Sequence, residues 1–315
     1  HWVAAAEAEL NNLPRVQLFV RTTAFGLYDH GGVAAVERVS DHLPVPPPGL
    51  VRQRLLKIRT RTVILATGAS ERPIVCGNND LPGVMLASAA HAFLGRFAVA
   101  CGKRPVIFTN NDSAYSVACA LAAAGTSPLV VDARLEPPVE ALSALREAGG
   151  ECLAGRVVTR ALGLAAVRAV EVRATDGGRH DRIACDALLL AGGFVPNLQL
   201  WAQRGGQPQW DAASQSWQPR ATIPGIYLAG AAAGVGDRND ILAQVRLLAA
   251  SVASELGLAL PRVAAVPLRR RADPILPLFA VEGRGKRFVD LQNDVTAEDI
   301  ALAVREGMGR VEHLK

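Results

Sequence analysis

The apolar positions of this chain fall in short runs that turn residues interrupt. Residues 63–66 form a continuous apolar run ended by small residues, and a run without alternation is typical of a strand buried on both faces. An earlier apolar run at 16–20 predicts another strand, and the Pro-rich segment 43–49 predicts a turn within an antiparallel excursion. The first part of the chain therefore predicts both buried parallel and antiparallel strands.

From residue 104 onward, strand and helix patterns alternate. The strand PVIFT precedes a helix pattern at 114–124, the strand LVVD follows, and a second helix pattern covers 138–148. This order predicts a βαβ unit, whose crossover is right-handed by default. The turn TDGG at 175–178 then predicts a hairpin. LLLAGG and GIYLAG supply two further buried strands, and residues 241–253 supply a helix.

The C-terminal part carries its own start signal for a helix. Residues 261–277 predict a linker, because Pro and Arg interrupt any period there. Thr296, followed by Asp299 three residues later, predicts a capping box. The apolar residues expected on one face of the helix are Ile300, Val304, Gly307, Met308 and Val311. The pattern runs to Lys315 without a stop signal, so we expect a helical module that continues beyond it.

Composition narrows the classes of function. The net charge of +5 comes from scattered basic residues, and aromatic residues make up only 5%, which argues against a nucleic-acid groove. No apolar run reaches the ~18 residues of a membrane span, and no secretion signal stands at the start. We therefore expect neither a nucleic acid nor a membrane as partner, and a cytoplasmic location.

The five cysteines are widely spaced and include no C-x-x-C pair. This spacing argues against a redox dithiol and against a zinc site. We expect buried free thiols in a reducing compartment, and no metal ligand.

Three strand-end motifs are candidates for cofactor binding. Ala66, Thr67 and Gly68 follow the first buried strand, where small residues let backbone approach a ligand at the carboxyl edge of an open α/β sheet. Alone, this tripeptide fits an ordinary tight turn equally well. The later motifs are GGFVPN at 192–197 and the strand end that carries Gly230 and Ala231.

In this order and spacing, the motifs resemble the pyridine nucleotide-disulfide reductase superfamily. The resemblance implies an α/β fold of the flavin reductase type, with two interleaved Rossmann-like dinucleotide-binding domains and a small C-terminal helical segment. The implied divisions are 1–98 for the first part of a flavin/NAD-type domain, 99–196 for an inserted nicotinamide-type domain, 197–262 for the second part of the first domain, 263–280 for a linker and 281–315 for a truncated helical module. The first βα unit, with its glycine fingerprint, is expected upstream of His1.

The βαβ unit departs from this superfamily at its first turn. Where a nicotinamide domain carries G-x-G-x-x-G, this chain has TNNDSAY at 109–115. No glycine is available there, and Asp112 places a negative charge where a phosphate would lie. We therefore predict that this turn binds no NAD and that Asn111, Asp112 or Ser113 caps the helix. Asp132, at the position of a ribose-binding acid, is interpreted as vestigial or structural.

The last strand departs as well. The superfamily usually ends it in Gly-Asp, and this chain has Gly230-Ala231, so the carboxylate that would contact a flavin is missing. A conventional FAD site in this chain is therefore not expected.

A more particular resemblance is to the alpha subunit of heterotetrameric sarcosine oxidase. It rests on stretches spread over most of the chain from residue 16 onward: RTTAFGLYDH, LATGASERPIV, NNDLPGVMLASAA, FTNNDSAY and FVDLQNDVTAEDIALAVREGM. The glycine-free turn is part of that pattern. We interpret the chain as the middle section of such a protein.

This resemblance implies a subunit that holds NAD as a tightly bound ligand without hydride transfer. It also implies a beta subunit that carries FAD, an FMN at the interface between the two, and smaller gamma and delta subunits. Such a complex oxidises sarcosine to glycine, forms hydrogen peroxide and passes the one-carbon unit to tetrahydrofolate. Sarcosine, dimethylglycine and related secondary amines all stay open as substrates. Because the flavin that reacts with substrate is expected in another subunit, we expect the chain alone to be inactive.

The resemblance also implies a set of cofactor-binding residues and no catalytic residue. Ala24 is expected where the family's chain crosses the adenine, and Gly230 and Ala231 near the nicotinamide end. The full cofactor-binding set is Ala24, Ala66, Thr67, Gly68, Gly230, Ala231 and Gly236. His30 and His91 are interpreted as structural.

Other functions remain as alternatives. Opine oxidase and hydrogen cyanide synthase subunits have a similar VTAEDI helix, preceded by two cysteines of a [2Fe-2S] site. This chain has Asp290 and Gln292 there, which supply no thiolate. An independent NAD(P)H-dependent reductase would need a glycine loop or a C-x-x-C, and the chain has neither. A non-catalytic scaffold with the same fold stays open.

Overall fold

The computed structural model describes residues 2–258 and 275–311. Its α-helices are α1 (Trp2–Asn11), α2 (Ala87–Phe97), α3 (Ser113–Ala123), α4 (Val139–Glu147), α5 (Gln199–Gln203), α6 (Arg238–Glu255) and α7 (Ala297–Arg305). Its strands are β1 (Thr22–Tyr28), β2 (Gly32–Arg38), β3 (Gln53–Arg59), β4 (Val63–Leu65), β5 (Ala69–Glu71), β6 (Val84–Leu86), β7 (Pro105–Thr109), β8 (Leu129–Asp132), β9 (Glu151–Ala154), β10 (Arg156–Gly163), β11 (Val167–Ala174), β12 (Gly177–Ala184), β13 (Ala187–Ala191), β14 (Phe194–Pro196), β15 (Pro208–Asp211), β16 (Ser216–Pro219), β17 (Ile226–Leu228), β18 (Phe288–Asp290) and β19 (Val295–Thr296). None of the helices in the two described ranges combines the length and the apolar character needed to cross a membrane.

The described chain forms two compact units, each built from several stretches of sequence. The first unit contains residues 2–68, 196–209 and 217–258. The second unit contains residues 69–195, 210–216 and 275–311. The chain therefore leaves the first unit and returns to it twice.

The first unit combines an antiparallel sheet with a parallel strand pair. Strands β1, β2 and β3 form the antiparallel sheet, and β4 pairs with β17 in parallel. Leu27, Leu65, Leu198 and Trp201 form its buried core. The prediction of a strand at 16–20 was wrong: the regular strands begin at Thr22, and Val16 and Val20 are exposed side chains that no sheet of the described residues covers.

The second unit is built on a parallel sheet of five strands in the order β6-β13-β7-β8-β9. The continuous apolar strands β7 and β13 are buried at every position, because helices and a second sheet cover the two faces. Strands β10, β11 and β12 form that second, antiparallel sheet, and β11 and β12 are the hairpin predicted at the TDGG turn. Residues 84–97, which the sequence analysis placed with the first domain, contribute β6 and α2 to this unit.

The C-terminal module begins with the short hairpin of β18 and β19, which the expectation of a purely helical module did not include. The capping box is confirmed: the Thr296 hydroxyl accepts from the Asp299 amide, and the Asp299 carboxylate accepts from the Thr296 amide. The expected helical face does not extend to Gly307, Met308 and Val311. Helix α7 ends at Arg305, because Gly307 adopts a left-handed conformation with φ +85° that reverses the chain. The expected continuation through Lys315 lies outside the described residues.

Candidate cofactor-binding strand ends

The carboxyl ends of β4 and β17 bring two of the predicted motifs together in the first unit. The amide of Ala229 donates to the carbonyl of Leu65 over 2.9 Å, so Ala66 and Gly230 leave neighbouring strands at the same edge. Ala66 is exposed. This edge is where an open parallel sheet receives a ligand.

The turn after β4 has a fixed backbone and open space around its glycine. Thr67 Oγ1 donates to the Asn197 carbonyl at 2.8 Å, and Asn197 Nδ2 donates to the Thr67 carbonyl at 3.1 Å. The Asn197 amide also donates to the Gly68 carbonyl at 3.0 Å. Gly68 has φ +72°, and a Cβ placed on it would meet no atom within 4 Å. Three hydrogen bonds to Asn197 therefore hold the backbone of this turn, and space remains open beside Gly68.

The turn after β17 is already engaged by the chain itself. The amide of Gly230 donates to Oε1 of Gln244 on α6, over 2.8 Å. Asp237 caps α6, since its carboxylate accepts from the amides of Asn239 and Asp240. Free amides at a helix start favour a phosphate, but here a carboxylate occupies two of them. The α6 start therefore does not offer a site for a pyrophosphate.

The remaining predicted residues lie at different positions in the first unit. Gly236 stands just before α6 with open space around it. Ala231 belongs to a short 3-10 turn that follows β17. Ala24 is exposed on β1, next to a bulge in the β1–β2 pairing, and thus belongs to the antiparallel sheet. The parallel pair therefore brings Ala66–Gly68 and Gly230–Ala231 together, and Ala24 stands on another sheet.

The corresponding edge of the second unit is closed by side chains. Thr109, Asn110 and Asn111 are buried at the end of β7. Asn111 Nδ2 donates to the Ala191 carbonyl at 2.9 Å, which ties the β7 turn to the end of β13. Asn111 Oδ1 accepts from the Ser113 amide at 2.9 Å, so of the three predicted capping residues Asn111 covers a free amide of α3.

An ion-pair cluster occupies the end of the βαβ unit. Arg134 Nη2 lies 2.8 Å from Asp132 Oδ2, and its Nη1 lies 2.6 Å from Asp112 Oδ1. The Asp132 side chain is fully buried and that of Arg134 is 10% exposed. Burial alone would lower the pKa of Arg134, but the hydrogen bonds and charges of Asp132 and Asp112 raise it above its ordinary value. Both carboxylates thus pair with the same guanidinium within the protein, which fits the structural interpretation of Asp132.

Tyr115 and Cys152 complete this cluster. The Tyr115 hydroxyl donates to Asp132 Oδ2 at 2.8 Å, and it lies 3.5 Å from the Cys152 sulfur. Burial, and then the negative charge of Asp132, raise the pKa of Tyr115 above its ordinary value. The phenol therefore stays protonated as a hydrogen-bond donor to the carboxylate.

All five cysteines are free, but the expectation that they are buried holds only in part. Cys76 and Cys185 are buried, whereas Cys101, Cys119 and Cys152 are partly exposed. Within the described residues, no three His, Cys, Asp or Glu side chains come together as a metal site would require. Asp290, at the place of a cluster cysteine in the alternative family, accepts from the amides of Gln292 and Asn293 and so shapes its own turn.

Several contact residues were missed by sequence reasoning. Gln244 and Asn197 bond to the two turns of the first unit, and Arg134 pairs with both acids of the second. The sequence around Gln244 and Asn197 gives no indication of these contacts, because their partners are distant in sequence. Arg134 could have been noticed, because it stands two residues after Asp132 and Asp112 lies in the turn after the neighbouring strand β7.

Comparison with known proteins gives relatives for the whole chain. It is 42% identical over 311 residues to the sarcosine oxidase alpha subunit of Rhizobium meliloti (strain 1021), covering 98% of this chain and 31% of that protein. It is 37% identical over 331 residues to the sarcosine oxidase alpha subunit of Corynebacterium sp. (strain P-1), covering 100% of this chain and 34% of that protein. The chain thus spans about a third of the length of these relatives. An opine oxidase subunit from Agrobacterium tumefaciens (strain Ach5) is 28% identical over 317 residues, with 92% of this chain and 60% of that protein covered.

Solved structures show the same kind of fold. L-proline dehydrogenase from P. horikoshii superposes with a TM-score of 0.64 at 19% identity, over 99% of this chain and 57% of that one. An HOCl-induced flavoprotein disulfide reductase from Escherichia coli gives a TM-score of 0.56 at 18% identity, over 80% of this chain and 53% of that one. The chain therefore shares the mixed α/β fold of these two oxidoreductases.

A family model locates the C-terminal module. Residues 284–315 match the sarcosine oxidase A3 domain. The resemblance predicted from the sequence motifs is confirmed by this match and by the relatives at 36–42% identity. The chain is a homologue, over its whole length, of about a third of the sarcosine oxidase alpha subunit.

Proposed function

We propose that this chain is the cofactor-holding part of an alpha subunit in a sarcosine oxidase-like complex. The complex would be an oxidoreductase that converts sarcosine to glycine, forms hydrogen peroxide and transfers the one-carbon unit to tetrahydrofolate. The observation that carries the proposal is the 36–42% identity to sarcosine oxidase alpha subunits along the entire chain, which includes the A3 module. The proposal also includes a cytoplasmic location, which the five free cysteines support.

We infer that NAD is held in the first unit as a structural ligand. The open turn at Ala66, Thr67 and Gly68 supports this, because it leaves room at the carboxyl edge of a parallel pair. Gly230 and Ala231 form the other wall of that edge, and Gly236 and Ala24 complete the proposed set. Because Asp237 caps α6, we expect the contacts with NAD to come from the turns after β4 and β17, and not from the amides at the start of this helix.

The proposed domain division is the interleaved one, with two Rossmann-like domains. The return of the chain to the first unit near residue 196 supports it. The parallel sheet of the second unit supports a nicotinamide-type ancestry for residues 99–196. The ion pairs of Arg134 with Asp112 and Asp132 support the further inference that this second domain no longer takes a nucleotide.

The partners in the proposal are a beta subunit that carries FAD, an FMN at the interface with it, and smaller gamma and delta subunits. No residue of this chain is proposed as catalytic. The chain alone should therefore show no turnover, and co-expression with a beta subunit should give sarcosine-dependent peroxide. Peroxide formation by the chain alone would contradict this division of labour.

Bound NAD can be tested with a pair of matched glycine variants. Gly68→Ala adds a methyl group at the proposed NAD edge, and Gly49→Ala adds one in the loop at 47–50, outside the proposed set of NAD-binding residues. Both glycines have positive φ values, +72° and +80°, and open space around the Cβ position. The backbone strain is therefore similar, about 1–2 kcal/mol. We expect the Kd for NAD, measured by titration of the NAD-free protein, to rise at least about tenfold in Gly68→Ala, which corresponds to about 1.4 kcal/mol of binding, and to stay unchanged in Gly49→Ala. Equal Kd values in the two variants would refute the proposed site.

An opine oxidase-type subunit is the second candidate. The 28% identity to the Agrobacterium tumefaciens opine oxidase protein, of which 60% is covered, favours it. Against it, Asp290 and Gln292 stand where the cluster cysteines are expected. Iron analysis of the complex distinguishes the two, since an opine oxidase-type subunit should carry two iron atoms per cluster.

A further inference from the structure

The strand order of the second unit defines where its ligand crevice lies. From β7 the chain proceeds outward through β8 to β9, and β13 is added on the other side of β7. In an open parallel sheet, a ligand binds outside the carboxyl ends of the two strands at which the order reverses. These ends are Thr109 on β7 and Ala191 on β13. The crevice therefore lies beside Asn110 and the glycine pair Gly192-Gly193.

Residues 275–281, here called the covering segment, lie at this crevice. The Leu276 amide donates to the Asn110 carbonyl at 3.0 Å. Asn110 Nδ2 donates in turn to the Leu276 carbonyl at 2.9 Å and to the Leu278 carbonyl at 3.0 Å. Asn110 is fully buried, and both its backbone and its side chain are used on the covering segment. Asn110, which stands where a nucleotide-binding domain has its glycine loop, therefore binds the covering segment.

The second glycine after β13, Gly193, lies against the same segment. A Cβ on Gly193 would lie 2.9 Å from Cδ1 of Ile275, so a side chain there would require the end of the Ile275 side chain to move. Gly193 also has φ +87°. In a nucleotide domain such a glycine lets the backbone approach a phosphate, but here it lets Ile275 approach the sheet.

The covering segment then runs as an extra extended piece along Val75. The Val75 amide donates to the Phe279 carbonyl and the Val281 amide donates to the Val75 carbonyl, both over 2.8 Å. The Arg72 guanidinium lies 4.4 Å from the centre of the Phe279 ring. Val281 is buried in the core of the unit, and Leu276 and Leu278 pack against that core. The covering segment thus has backbone hydrogen bonds and buried side chains, as an integral part of the fold does, whereas a linker would be exposed.

The chain beyond the covering segment is held by the Asn78-Asn79 loop. Asn79 is buried; its Nδ2 donates to the Phe288 carbonyl at 2.8 Å, and its Oδ1 accepts from the Phe288 amide at 2.9 Å. The Asn78 amide donates to the Lys286 carbonyl at 2.7 Å. Two asparagines, Asn79 and Asn110, therefore form hydrogen bonds to the C-terminal part of the chain at two separate points.

We propose that the covering segment is a permanent intramolecular occupant of the crevice, and that the second unit serves as a docking domain for the C-terminal module. The sheet edge that would receive a dinucleotide instead receives residues 275–281, and the Asn78-Asn79 loop receives residues 286–288. The proposal requires no assumption about the amine substrate or the partner subunits, so it stands apart from the proposed activity.

Hydrogen exchange of the full chain, with and without millimolar NAD, tests the occupancy. The amides of Leu276 and Val281 should exchange as slowly as those of the sheet, and added NAD should not change their rates. Faster exchange at these amides on addition of NAD, or new protection at 109–113, would show that a dinucleotide displaces the segment and would overturn the proposal. Absence of NAD protection at 66–68 would instead count against NAD binding in the first unit and leave the docking inference intact.

An asparagine pair provides the variant and its control. Asn110→Ala removes two hydrogen bonds to the covering segment and should accelerate exchange at Leu276 by at least about tenfold. Asn11→Ala changes an exposed asparagine at the end of α1 and should leave the rates unchanged. Equal exchange in the two variants would refute the role of Asn110. The measurement on the unsubstituted chain decides the occupancy even if Asn110→Ala does not fold.

Discussion

Arg134 donates to both carboxylate oxygens of Asp132, with Nη2 2.8 Å from Oδ2 and Nε 3.1 Å from Oδ1. The carboxylate is fully buried, and the Tyr115 hydroxyl also donates to it. Every oxygen of Asp132 therefore has a charged or polar partner from the protein. An acid at the end of this strand would contact a ribose in a nucleotide domain, but here it completes an internal network.

We expect Arg134→Ala to destabilise the protein by about 3–5 kcal/mol, because it leaves a buried carboxylate without its cation. Arg134→Lys should cost less, since lysine restores the charge but not the paired geometry. Urea unfolding followed by circular dichroism measures both changes. Arg179→Ala is the control: its side chain is 92% exposed, so it should change stability by less than about 0.5 kcal/mol. Equal losses in Arg134→Ala and Arg179→Ala would show that the buried pair does not stabilise the fold.

We expect Asn79→Ala to loosen the C-terminal module. The substitution leaves the amide and the carbonyl of Phe288 without their partners, and each unsatisfied buried group costs about 1–3 kcal/mol. Limited proteolysis should then cut within 284–311 at least about tenfold faster than in the parent, while cleavage elsewhere stays the same. The exposed Asn11 again supplies the matched control. Unchanged cleavage of the module in Asn79→Ala would mean that other contacts hold it.

Much of the fold could be predicted because its signals are local. The continuous apolar runs predicted β7 and β13, and the TDGG turn predicted the hairpin of β11 and β12. The run at 63–66 does form β4, but the expectation that this strand is buried on both faces was wrong, because Leu65 is buried and Ile64 is exposed. The capping box followed from two residues three positions apart. The run at 16–20 misled because an apolar sequence forms a strand only where another strand pairs with it, and pairing is not encoded locally.

The candidate site could be predicted only in part, for a related reason. The strand ends at Ala66 and Gly230 are recognisable because small residues follow an apolar run. Residues 261–277 were interpreted as a linker because Pro and Arg interrupt any period there; residues 261–274 lie outside the described residues, and 275–277 belong to the covering segment. The contacts of this segment could not be predicted, since Asn110, which bonds to Leu276, lies 166 residues away in sequence. A long-range contact between a polar side chain and backbone carbonyls leaves no periodic trace in the sequence.

We expect Thr296→Ala to destabilise helix α7 by about 1 kcal/mol, through loss of its N-cap. Hydrogen bonds from Thr296 lower the pKa of Asp299 below its ordinary value of 3.8. A lowered folded-state pKa gives stability that is present above pH 3.8 and lost as the pH falls through the folded-state value. The protection factors of the α7 amides, which are corrected for the intrinsic pH dependence of exchange, should therefore fall below pH 3.8 in the parent protein. Asp299→Asn cannot titrate and serves as the control, and the same acid dependence in that variant would contradict the assignment.

Burial raises the pKa of the Cys76 thiol from 9.0 to about 12. The unfolded chain therefore releases this proton before the folded chain does, and the stability that Cys76 contributes is complete below pH 9.0 and declines as the pH rises toward about 12. Cys185, whose pKa burial and Asp186 raise to about 11, adds a smaller decline in the same direction. Unfolding free energies of the parent and of Cys76→Ala, measured across this alkaline range, isolate the first contribution. The variant starts from a lower stability because of the small cavity, but its decline should be shallower than that of the parent. Parallel declines in the two proteins would show that Cys76 ionises equally in the folded and unfolded states.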